Sequence, residues 1–143
     1  MEPSERLSKK LFIVVIDDST IVCTILETIL TPQGHQVRWF LDPVAALRSM
    51  LTTGETPLPD LLFIDISLPR INGYEVIKRF RNNPTFKRIP IVVISRLDDT
   101  VARLKARLAG ANAYLAKPFQ IQDVLTLVED VTTLPNPNTH ENE

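Results

Sequence analysis

The chain has 143 residues, enough for one ordinary domain that buries roughly two-thirds of the surface it exposes when unfolded. Hydrophobic residues make up 44% and charged residues 23%, which excludes the disordered and collagen-like classes. With 16 basic and 17 acidic side chains the formal net charge is -1, so no global field draws the protein toward nucleic acid or anionic lipid.

Cys23 is the only cysteine, which rules out an intrachain disulfide and a cysteine-based metal cluster and fits a reducing compartment. The first apolar run, 11–16, stops at Asp17 and Asp18 and is too short for a secretory core or a membrane span. A cytoplasmic protein without a membrane partner is the expectation.

Leu11-Phe12-Ile13-Val14-Val15-Ile16 is a continuous β-branched and aromatic run, the pattern of a strand buried on both faces. The apolar spacing then becomes helical, with Ile21, Ile25 and Ile29 beside Val22, Leu26 and Leu30, capped by Ser19 or Asp18. Gly34 closes that helix, and 35–40 reads as a shorter second strand. Asp42-Pro43 is an N-cap followed by proline at the first helical position, and the second helix runs to about Thr53. Asp60-Leu61-Leu62-Phe63-Ile64-Asp65 repeats the buried-strand pattern. Gly73 opens a third helix with Val76, Ile77 and Phe80 on its apolar face, and Pro84 marks its end. Pro90-Ile91-Val92-Val93-Ile94-Ser95 is a fourth strand, and Asp98 or Asp99 caps a fourth helix with Val101, Leu104 and Leu108 expected inward. After Gly110 come a short fifth strand, 113–116, and a last helix carrying Val124, Leu127, Val128 and Val131.

Strand and helix therefore alternate five times, which predicts an α/β fold with a parallel sheet and helices on both faces. One domain over 10–133 takes up all of these elements, with a flexible segment over 1–9 and a polar, disordered tail over 134–143.

In such a sheet ligands bind in the crevice outside the carboxyl ends of the strands. Here those ends carry Asp17 and Asp18, Asp65, Ser95, and Lys117-Pro118. Singly each has a bland explanation: an acid after a strand is commonly a helix cap, Ser95 a turn residue, and Lys117 a solvated lysine. Asp65 stands apart, because a lone carboxylate closing so apolar a strand would be expensive to desolvate. Together, three carboxylates raise one another's pKa and call for a compensating cation. Oxygen ligands suit a hard ion such as Mg2+, and a facing lysine suits a phosphoryl group. The set points to phosphoryl chemistry at a carboxylate.

The ordered segments Ile16-Asp17-Asp18, Asp65-Ile66-Ser67-Leu68-Pro69-Arg70-Ile71-Asn72-Gly73, Val93-Ile94-Ser95 and Lys117-Pro118-Phe119 resemble the response-regulator receiver domains of two-component signalling, from about Lys10 to Thr133. The resemblance implies a flavodoxin-like (βα)5 doubly wound sheet of order 2-1-3-4-5 and a stand-alone receiver. Asp65 would be the phosphoacceptor, supplied by a sensor histidine kinase or a histidine phosphotransfer protein. Asp18, Asp65 and the backbone carbonyl of Ser67 would ligate Mg2+, with Asp17 acting through water. Lys117 would pair with the phosphoryl oxygens, Ser95 would donate its hydroxyl to them, and Tyr114 would swing inward as Ser95 moves. The family also implies a cis Lys117-Pro118 bond. Such a protein catalyses only its own aspartyl phosphorylation and dephosphorylation, and it signals by docking to a downstream protein target; a phosphorylation-dependent dimer is left open.

Three positions depart from the family pattern: serine rather than threonine at 95, a long Arg96 where a small residue is usual, and Ser67 two positions after the acceptor. Between 76 and 107 the chain is locally basic, with Arg103 and Arg107 one helical turn apart, although an ordinary solvated face is the simpler reading than a docking site. Nothing accompanies that charge to suggest nucleic-acid recognition. Trp39, Phe40, His35 and Cys23 read as packing or structural residues. Two other functional classes compete. One is a phosphorylation-independent scaffold on the same fold, and the other a phosphohydrolase, whose nucleophile motif the adjacent Asp17 and Asp18 do not match.

Overall fold

A computed structural model describes residues 9–68 and 71–133. The expectations of a flexible segment over 1–9 and a disordered tail over 134–143 therefore fall, Lys9 aside, outside the described residues. The continuous apolar runs form strands β1 (Phe12–Ile16), β3 (Leu61–Asp65) and β4 (Ile91–Ser95), and shorter runs form β2 (Gln36–Phe40) and β5 (Ala113–Ala116). All pair in parallel in one sheet of order β2-β1-β3-β4-β5, the order that the sequence resemblance implied.

Because side chains alternate along a strand, each central strand feeds two cores. Val14, Ile16, Leu62, Ile64, Ile91 and Val93 point to one face, and Ile13, Val15, Leu61, Phe63, Val92 and Ile94 to the other. The first face is covered by α2 (Pro43–Leu47, continued by a wide turn over Arg48–Thr52), α3 (Gly73–Asn82) and α4 (Thr100–Ala109). The second is covered by α1 (Thr20–Leu30) and α5 (Ile121–Thr133).

The helix starts follow local chemistry. Side-chain oxygens of Ser19, Asp42, Asn72 and Asp99 each accept a backbone N–H from the first turn of the helix that follows. Gly110 takes positive φ where α4 ends, and Gly34 does so after the short 3-10 turn Thr31–Gln33 that follows α1, not at the end of α1 itself.

The structure corrects the inward face expected for α4. Val101, Leu104 and Leu108 are 60%, 54% and 77% exposed, while Ala102, Ala106 and Ala109 pack on the sheet. Both sides of this helix are apolar, and the small side chains let it approach the sheet, turning the large ones to solvent. A milder version holds for α1: Cys23, Leu26, Ile29 and Leu30 are buried, whereas Ile21 and Ile25 are exposed, so the apolar stripe is wider than the face that packs. By contrast α3 buries Val76, Ile77 and Phe80 as its spacing predicts. No described helix is long and apolar enough to cross a membrane.

Candidate functional site

The parallel ladder runs one step beyond the strands at their carboxyl ends. The N–H groups of Asp17, Ile66 and Lys117 donate to Phe40, Ile94 and Ser95 carbonyls at 3.1, 3.3 and 2.8 Å. This register brings residues far apart in sequence to one rim. Carboxylate oxygens of Asp17, Asp18 and Asp65 lie within 4.8 Å of one another, and Lys117 Nζ lies 2.9 Å from Asp17 Oδ2 and 3.0 Å from Asp65 Oδ2. Asp17 and Asp65 are buried and Asp18 is exposed, so the crevice has a closed floor and an open mouth.

Each buried carboxylate is held in one rotamer. Asp65 Oδ1 accepts the Ser67 N–H at 2.7 Å while Oδ2 accepts Lys117 Nζ. Asp17 Oδ1 accepts the Ser19 N–H at 2.9 Å. Asp17 Oδ2 is buried, and its close partner among the described residues is the Lys117 ammonium, with which it forms an ion pair. Burial raises the Asp17 pKa, and the negative charge of Asp65 adds to the effect; Lys117 and the Ser19 N–H offset only part of it. Burial works against the charge on Lys117 as well, but its contacts with Asp17 and Asp65 outweigh it and the net shift is upward. The lysine is held as a cation between two carboxylates. A buried Asp17 oxygen met by the lysine alone, a third acid at the mouth and an all-oxygen donor set together fit a hard divalent ion.

Ser95 is buried at the end of β4, and its Oγ accepts the Leu97 N–H at 3.0 Å. The Tyr114 hydroxyl donates to the carbonyl of the same Leu97, and the guanidinium of Arg103 stacks 4.7 Å over the Tyr114 ring. Ser95 and Tyr114 are thus joined through the two backbone groups of one residue. Sequence reasoning did not single out Leu97, and no local signal marks it, because the contact comes through its backbone. Arg96 is exposed. The Lys117-Pro118 peptide is cis.

Residues 13–129 match the family of the response regulator receiver domain. The chain belongs to that family. It is 33% identical over 125 residues to protein PilG of Pseudomonas aeruginosa, covering 87% of this chain and 90% of that one. Response regulator Rcp1 of Synechocystis is 31% identical, with 80% and 78% covered. Among solved structures, a response regulator from Chloroflexus aurantiacus superposes with a TM-score of 0.79 at 34% identity, covering 88% of this chain and all of that one. The chemotaxis regulator CheY4 of Vibrio cholerae, at 22% identity and a TM-score of 0.78, shares the fold. This receiver spans only 24% of the length of response regulator PleD of Caulobacter vibrioides, at 32% identity. Receivers are the signalling domains of two-component response regulators. They act with histidine kinases or phosphotransfer proteins and with downstream targets, and this one carries an acidic cluster able to hold a metal ion.

Proposed function

We propose that this protein is a phosphoacceptor switch: Asp65 takes a phosphoryl group from a phosphohistidine, and the modified protein docks to a downstream protein in the cytoplasm. The observation that carries the reading is Lys117 Nζ, about equidistant from two buried carboxylates at 2.9 and 3.0 Å within a three-aspartate cluster. In the transfer a carboxylate oxygen of Asp65 bonds to phosphorus as the bond from phosphorus to the donor imidazole breaks, and the imidazole retains that electron pair. The Ser67 N–H and Lys117 keep the carboxylate aimed, and Lys117 offers charge to the transferred oxygens.

Asp18, Asp65 and the Ser67 carbonyl would hold Mg2+, with Asp17 acting through water. Bound there, the ion neutralises charge on the transferred group. A solved structure of Rcp1, 25% identical with a TM-score of 0.71, is an Mn2+-bound form. Ser95 has a hydroxyl proton to donate while its oxygen keeps the Leu97 N–H, so it can engage the phosphoryl group without breaking its link to Leu97 and Tyr114. Tyr114 then links the state of Asp65 to the start of α4, through Leu97 and Arg103. An acidic cluster with a captured lysine supports this switch over a phosphorylation-independent scaffold, which has no use for mutually repelling buried carboxylates.

Incubation of the intact chain with Mg2+ and a small phosphodonor should add one phosphate, read by intact mass, and none to Asp65→Asn. A chelator should abolish the addition. Unmodified wild-type protein under conditions that label another receiver would overturn the reading.

A further inference from the structure

Arg81, at the end of α3, makes a set of contacts that the acceptor site does not use. Its Nε donates to the Gly110 carbonyl at 2.9 Å and its Nη2 to Asn112 Oδ1 at 2.7 Å. Its Nη1 donates to the Phe86 and Ile89 carbonyls, both at 2.7 Å, with a longer contact to Lys87 at 3.4 Å. Every one of these acceptors is neutral, so a partly buried cation is spent on holding backbone in place. Asn112 passes the grip onward: its Oδ1 also accepts the Ile91 N–H at 2.9 Å, and its own N–H donates to the Ile91 carbonyl at 2.8 Å. One guanidinium therefore joins the end of α3, the 86–89 turn, the end of α4 and the start of β4.

The fit is close on both sides. A Cβ built on Gly110 would lie 2.6 Å from Arg81 Cγ, and Gly110 has φ of 121°. The last turn of α4 closes normally on this platform, with Gly110 and Ala111 N–H groups donating to Ala106. The other end of α4 lacks any such anchor among the described residues. It is held by the Asp99 cap, an exposed Arg103–Asp98 pair and the Arg103–Tyr114–Leu97 contacts, and the Leu97 backbone is the group tied to Ser95. Between the two ends only alanines pack inward.

We propose that Arg81 is the fixed pivot of α4: it holds the C-terminal end of the helix, so that α4 answers the state of Asp65 by swinging at its N-terminal end. The inference rests on the phosphoacceptor reading for its trigger. Its consequence is directional: Leu97, just before α4, and Val101 on the exposed apolar side of the helix shift while Leu108 stays in place.

Hydrogen exchange on the intact chain, followed by mass spectrometry, tests this. Arg81→Lys keeps the charge but loses the planar fork, and Arg81→Met keeps the stem but loses every donor. Without phosphodonor, both should speed exchange over 107–112 by about tenfold or more, the size of one charge-assisted hydrogen bond, with β1 unchanged. With Mg2+ and a small phosphodonor, wild-type exchange should change over 96–103 and stay constant over 107–112, whereas the variants should change at both ends. Equal changes at both ends of wild-type α4, or unchanged protection of 107–112 in the Arg81 variants, would overturn the pivot. If the variants fail to fold, the wild-type comparison decides. If Asp65 takes no phosphate, the phosphoacceptor reading fails, and the donor-free comparison still decides whether Arg81 anchors the helix.

Discussion

Replacing Gly73 with alanine sets two effects of opposite sign against each other. Gly73 opens α3 just after the Asn72 cap, and alanine there should favour the helix by up to about 1 kcal/mol, partly by restricting the unfolded chain. Against this, a Cβ at 73 would lie 2.3 Å from the Cα and 2.8 Å from the carbonyl oxygen of Ile66. Both are backbone atoms with no rotamer to yield, and ordinary carbon contact requires a shift of about 1 Å. Ile66 follows the acceptor and its N–H is bonded to the Ile94 carbonyl, so the strain passes into the sheet. Overpacking of this kind costs about 1–3 kcal/mol, and a rigid backbone neighbour puts it in the upper part of that range. The net expectation is a loss of about 1–2 kcal/mol, read as a lower midpoint in urea at unchanged slope. Phosphate uptake should slow as well, because the displaced segment carries Ser67. Gly54→Ala is the control: φ there is 72° with nothing within 4 Å of a new Cβ, so it reports backbone strain without a clash. A Gly73→Ala protein as stable as wild type would refute the reasoning.

His35 Nδ1 accepts the Leu11 N–H at 3.1 Å, and burial pushes its pKa below the ordinary 6.5; Lys9, Glu129 and Asp130 are the charged groups lining the same cavity. The unfolded chain then binds the proton more readily, so this contribution is complete above 6.5 and is lost as pH falls through and below it, at up to about 1.4 kcal/mol per pH unit. Urea midpoints should show that loss in wild type and not in His35→Gln; parallel profiles would exclude it. The Cys23 thiol is buried, donates to the Asp17 carbonyl at 3.4 Å and is pushed up to about 12, so alkylation at mildly basic pH should follow unfolding. Rapid labelling of the native protein would contradict that. Asp99→Ala removes an Oδ1 that accepts the Ala102 N–H at 2.7 Å and should weaken the start of α4 by about 1 kcal/mol, seen as faster exchange over 100–104. Unchanged exchange there would show that the cap contributes nothing.

How much was legible in the sequence depended on whether the signal was local. Strands β1, β3 and β4 are continuous apolar runs because both their faces are buried, and nothing else in the chain has that pattern. Asp65 stood out because it closes such a run. That Lys117 would meet it, 52 residues later, was expected only from the strand-end rule and the family motif. Periodicity points the wrong side of α4 inward, because Val101, Leu104 and Leu108 make one apolar stripe and Ala102, Ala106 and Ala109 another, and it favours the larger residues. Arg81 looked like one more charge in a basic stretch. Its partners at 110 and 112 are distant in sequence and are chiefly backbone carbonyls, which carry no compositional signal.

The alanine face that α4 turns inward bears on the switch itself. A phosphoryl group can move an element only by as much as its interactions differ between the two states, and a hydrogen bond from Ser95 to a charged oxygen supplies about 1.5–3 kcal/mol. Burying Val76, Ile77 and Phe80 holds α3 by roughly 6 kcal/mol, beyond the reach of such a bias. The inward methyl groups of Ala102, Ala106 and Ala109 hold α4 by only about 2 kcal/mol, so here the bias and the restraint are comparable. Turning the large residues outward is thus what leaves α4 responsive. Leucine at the buried Ala106 would overpack this close contact, so Ala106→Leu should loosen α4 by about 1–3 kcal/mol and speed exchange over 96–103 even before Asp65 is modified. An Ala106→Leu protein whose exchange over 96–103 without phosphodonor matches wild type would show that packing at this alanine is not what sets the docking of α4.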